Sequence, residues 1–95
     1  MLDYSKFPSE HMIGGLQRYF EHGIEPGSFM ESVLCNDLRG ACLRADDVNL
    51  RNLVGIVGWL YNEAPLGSWG SPEAYANTIQ HGGYAGAMAA GSDQQ

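Results

Sequence analysis

Between Asp46 and Pro65 the chain reads DDVNLRNLVGIVGWLYNEAP, and no other stretch restricts the fold so strongly. Over residues 48–64 apolar side chains fall on most sides of a helical wheel. Asp46 or Asp47 caps the start, and Pro65 closes the end. A helix of that kind is expected at the centre of an all-helical domain, with the others packed around it. Gly55 and Gly58 inside it each cost up to about 1 kcal/mol relative to alanine, so something is expected to approach the backbone there.

The flanking segments carry the same period. From Glu10, the apolar residues Met12, Ile13, Leu16, Tyr19 and Phe20 form one helical stripe that Ser9 can cap and Gly23 ends. Phe29, Met30, Val33, Leu34, Leu38, Ala41 and Cys42 repeat likewise, so one helix is expected from about 28 to 44, with weak points at Asn36 and Gly40. Ser28 and Glu31 there have capping-box spacing. After the loop PLGSWG, Ser71-Pro72-Glu73 gives a cap, a first-turn proline and an acid, so a short helix should run to about Gln80. Residues 1–9 read as an arm whose Tyr4 and Phe7 tuck onto the domain, and residues 82–95 as a flexible Gly/Ala-rich tail. The fold class expected is all-α: a small bundle of about four helices in one domain over residues 10–81.

Ninety-five residues lie near the lower limit for a self-sufficient core, so a homo-oligomer is expected. Apolar residues make up 44% and charged residues 17%, which excludes a disordered chain. Eleven acids against five bases, with no basic run, exclude a duplex nucleic-acid partner, because none of the bases forms the concentrated face that displaces counterions. A small anionic ligand remains open. Cys35 and Cys42, seven apart in one expected helix, lie roughly 10 Å apart and cannot bridge each other. They are expected as small buried thiols, and no metal or cofactor is expected. Residues 1–15 lack a basic start and a long apolar stretch, so no secretory leader is expected, and Leu53–Tyr61 is too short for a membrane span.

The segments HMIGGLQRYFEHGIEPGSF, NDL, RADD and LYNEAPLGSWGS, spread over roughly residues 11–72, resemble a small family encoded widely in tailed-phage genomes. Leu43 stands where the family pattern has glycine and Ser68 where it has cysteine. The resemblance implies a phage accessory protein, neither capsid nor replication machinery, expressed in the host bacterial cytoplasm. It implies no particular activity.

The residues offer several candidate binding groups. Arg51, Gly55, Gly58 and Asn62 share a stripe that is either the floor of a groove for a planar ligand or a seat for a neighbouring helix. Trp69 and Tyr61 could stack on a base, or Trp69 could plug the end of the bundle. Ser28 sits in a turn, GIEPGSF, that is either an anion site or ordinary capping. His11 and Arg18, two turns apart, either clamp a phosphate or stand in solvent. No nucleophile, base and orienting acid occur at a recognisable spacing, so an enzyme is not expected.

Two functions compete on these grounds. One is a phage anti-defence protein that sequesters a nucleotide-derived immune signal, of the cyclic oligonucleotide or cyclic ADP-ribose type, without chemistry. The other is an acidic inhibitor that docks on a host defence or regulatory protein, as an anti-CRISPR does. A sequestering protein should gather Trp69, Arg51 and Arg18 at a concave pocket, often between subunits, whereas an inhibitor should expose an acidic or apolar face.

Overall fold

A computed structural model describes residues 2–93. The fold is all-α, with six helices and no strand among the described residues: α1 (Ile13–His22), α2 (Ser28–Leu34), α3 (Leu38–Arg44), α4 (Asp47–Glu63), α5 (Pro72–Gln80) and α6 (Tyr84–Asp93). A 3-10 turn, Glu10–Met12, leads into α1.

Several boundaries follow from the capping signals. Gly23 ends α1 in the left-handed region at φ 67°, its N–H donating to Tyr19 O as in a simple αL cap, while Ile24 N–H donates to Arg18 O. Asp46 caps α4 by accepting from Asn49 N–H at 2.7 Å, and Ser71 caps α5 by accepting from Ala74 N–H at 3.0 Å. Ser9 differs from expectation: only its backbone carbonyl serves the turn, and its hydroxyl lies 3.1 Å from His11 Nδ1.

The single helix expected over 28–44 is two. Asn36 adopts φ 61°, which an α-helix cannot contain, and Asp37 then caps α3 by accepting from Gly40 N–H at 3.0 Å. Asparagine tolerates the left-handed region better than other side chains, which is why the break falls there. The two cysteines therefore do not share a helix, Cys35 following α2 and Cys42 lying in α3, and both are free thiols, Cys35 half-buried and Cys42 exposed rather than buried.

The C-terminal segment also departs from expectation. Residues expected as a flexible tail from 82 to 95 form α6 as far as Asp93, while 94 and 95 lie outside the described residues. The glycines there mark close approach. A Cβ on Gly83, which has φ 124°, would come within 2.7 Å of Phe20 O and Glu21 O, so the turn into α6 is seated against the end of α1. Alanine, the best helix former, then carries the chain on.

Leu16, Tyr19, Phe20, Leu34, Ile56 and Leu60 are fully buried, each worth about 1.5–3 kcal/mol, and Phe29, Met30 and Trp59 complete the core. These side chains come in equal number from α1, α2 and α4. The longest helix, α4, expected at the centre, instead flanks the core. It turns Ile56, Trp59 and Leu60 inward and leaves Leu50, Val54, Val57 and Tyr61 exposed.

The N-terminal arm packs on α4 as its aromatics predict. Tyr4 stacks on Trp59 with centroids 5.0 Å apart, Phe7 meets the same indole edge-on at 5.2 Å, and Trp59 Nε1 donates to Asp3 O at 2.9 Å.

Candidate functional site

The arm and α4 form a roomy cleft. Pro8 lies against Gly55, where a Cβ would be 3.2 Å from Pro8 Cγ, so the approach expected at this glycine is made by the arm. At Gly58 a Cβ would meet nothing within 4 Å. Beside these glycines Lys6, Gly55, Trp59, Asn62 and Glu63 line a groove of about 470 Å³, within the volume range of small-molecule sites. Asn62 Nδ2 donates to Gly58 O at 2.9 Å, which holds its amide along the helix with the carbonyl oxygen still free to accept. The groove thus offers one ammonium, one amide, one carboxylate and an indole edge.

Of the predicted stripe, Asn62 and Gly55 line this groove, whereas Arg51 stands exposed at the other end of α4. Tyr61 is 82% exposed on a neighbouring face of the helix. Lys6 was missed in the sequence reading, because nothing local to residues 1–9 shows that the arm folds back onto α4.

Trp69 occupies different ground. Its loop is pinned at two points, where Tyr19 OH donates to Ser68 O at 2.6 Å and Gly70 N–H donates to Leu34 O at 2.7 Å, and within the loop Ser68 Oγ donates to Pro65 O at 2.6 Å. Burial pushes the Tyr19 hydroxyl up to about 12, so it remains a donor across the physiological range. Trp69 is half-buried against the core, and with Val33, Asn36, Asp37, Leu38, Ala41, Leu53 and Val57 it walls an apolar groove of about 150 Å³.

His11 and Arg18 do come together. With Met12, Gly15, Pro26 and Met30 they line a cleft of about 240 Å³ between α1 and the start of α2. The Arg18 guanidinium lies back along α1, where a Cβ on Gly14 would be 3.3 Å from Nη1, so the paired glycines give it room. Ser28 is exposed in the first turn of α2 and does not line this cleft. Its expected capping box is not formed: Gly27 takes the N-cap position without side-chain help, and Glu31 instead accepts from Tyr75 OH at 3.2 Å.

Trp69, Arg51 and Arg18 therefore line no common pocket within one chain. Cys35 is tuned away from nucleophilic use, since burial and then the carboxylates of Glu31, Asp37 and Glu73 push its thiol up. Among the described residues no cluster of three or more His, Cys, Asp or Glu could hold a metal ion, and no helix is long and apolar enough to cross a membrane.

No protein-family model matches the chain, and neither a curated protein nor a solved structure matches it.

Proposed function

We propose that the protein is a phage anti-defence factor of the host cytoplasm that sequesters a nucleotide-derived immune signal without altering it. The observation that carries this reading is the groove between arm and α4. Its volume suits a nucleotide, Gly55, Trp59 and Asn62 of α4 line it, and Lys6 stands where a phosphate would need a cation. The shorter cleft of His11 and Arg18 has room for a second phosphate group. Stoichiometric capture needs affinity alone, which suits a chain with no recognisable catalytic set.

Calorimetric titration with cyclic dinucleotides, cyclic trinucleotides and cyclic ADP-ribose isomers tests it. Sub-micromolar binding of one class, lost in Lys6→Ala, with the ligand recovered unchanged by chromatography, is the expected result. Recovery of a cleaved ligand would make the protein an enzyme, and binding of no member would remove the reading.

A second reading rests on a separate observation, the exposed apolar face of α4 and Trp69. Such a face suits docking on a host defence or regulatory protein. A purified host target that co-elutes with wild-type protein, but not with a Val54→Glu variant, would favour it.

A further inference from the structure

Leu50, Val54, Val57 and Tyr61 of α4 are 52, 86, 39 and 82% exposed. Their spacing of four, three and four residues is that of alternating d and a positions over two heptads, so they form one seam. No charged residue occurs in α4 between Arg51 and Glu63. Exposed Leu38 and half-buried Trp69 extend the seam sideways into the groove that Val57 also lines. Weighted by exposure, this face presents on the order of 500 Å² of apolar surface, near the upper end of what monomers carry. That is close to the apolar share of the ~800 Å² that each partner gives a stable interface.

We infer that two copies of this chain pair antiparallel along α4. An interface between identical chains needs a surface that is its own complement. About a midpoint between Gly55 and Ile56 the seam has that property: Val54 faces Val57 of the partner subunit, and Leu50 faces Tyr61 of the partner subunit. An uncharged apolar seam is matched by a second apolar seam, and a second copy of this chain supplies one. Parallel pairing would align the two helix dipoles and bring both Asp47 carboxylates together at one end, whereas antiparallel pairing separates them by the length of the helix.

The pairing also completes the groove, a step that rests on the reading of that groove as a ligand site. Within one chain Arg51 and Asn62 are eleven residues apart, about 16 Å along α4. In the antiparallel register Arg51 lies alongside Gly58 and Asn62 of the partner subunit, where the glycine leaves open space. Each groove then gains a second cation from the other copy, and the dimer carries two equivalent sites.

Sedimentation equilibrium over a concentration series tests the pairing without any ligand. Wild-type protein should weigh twice the 10.3 kDa of one chain. Val54→Glu, at a position already open to solvent, should be monomeric with unchanged helix content by circular dichroism. Register is read by disulfide trapping in a Cys35→Ser/Cys42→Ser background. Leu50→Cys with Tyr61→Cys should cross-link between chains, and Leu50→Cys alone should not. A wild-type monomer at every concentration, or self-cross-linking of Leu50→Cys alone, would overturn the inference. A dimer that binds no nucleotide would keep the pairing and remove the proposed function. A ligand-binding dimer should lose about tenfold or more in affinity on Arg51→Ala.

Discussion

The two tryptophans show how position along the chain and role in the fold can part company. Trp59 lies in the middle of a helix, yet its indole is sealed by Tyr4 and Phe7, its N–H is bonded to Asp3 O, and one edge faces the groove. Trp69 lies in a loop of glycine, serine and proline, yet that loop is pinned to α1 and α2, and its ring walls a shallow apolar groove. The helical tryptophan is the plug, and the loop tryptophan belongs to an open face. Hydrogen bonding decides the difference, because a buried indole N–H needs a partner and the arm supplies one.

The comparison breaks first at Trp59. Trp59→Ala should cost about 3–5 kcal/mol in urea unfolding and release the arm, since it removes the stacking partner of two aromatics and leaves Asp3 O unpaired. A loss below that of Trp69→Ala would reverse the assignment of plug and wall. Tyr19→Phe comes next. It leaves the Ser68 carbonyl buried without a donor, a loss of about 1–3 kcal/mol, and it should loosen the loop so that acrylamide quenches Trp69 more strongly. Trp69→Ala itself should cost roughly 1–2 kcal/mol, as half-burial returns about half the value of a large apolar side chain.

Alkaline pH sharpens the same contrast. Burial raises the hydroxyls of Tyr4 and Tyr19 to about 12, while an unfolded tyrosine ionises near about 10. The unfolded chain therefore loses protons first, and stability that is complete below about pH 10 should fall as pH rises towards 12. Tyr19→Phe should flatten part of that fall in a denaturation series against pH. The smallest effect is a gain: Gly58→Ala meets open space in a helix interior and should add about 0.5–1 kcal/mol.

Much of the fold was legible because its signals are local. Ser71-Pro72 and Asp46 mark helix starts through a side-chain oxygen within three residues, and Gly23 marks an end through its own dihedral angle. The break between α2 and α3 was half-legible. Asn36 read as a weak point, but only the chain's turn at φ 61° makes Asp37 a cap. Gly82 and Gly83 misled the reading of α6, since composition cannot tell a glycine that permits motion from one pressed against Glu21. Likewise, α4 is apolar enough to be central, but it buries one face only and leaves Leu50, Val54, Val57 and Tyr61 exposed.

The candidate site was legible in its floor and not in its rim. Gly55, Gly58 and Asn62 were visible as a helical stripe, and His11 and Arg18 as groups two turns apart. Lys6 and the groove wall exist only because a nine-residue arm returns to α4, a contact between residues more than fifty positions apart.

The most direct test of nucleotide capture is thermal unfolding with and without each member of the cyclic nucleotide panel. A ligand at 100 times its Kd adds about 2.7 kcal/mol, which in a domain this small should raise the midpoint by about 10 °C or more. The account predicts such a shift with one class and its loss in Lys6→Ala. A panel that leaves the midpoint unmoved would contradict it.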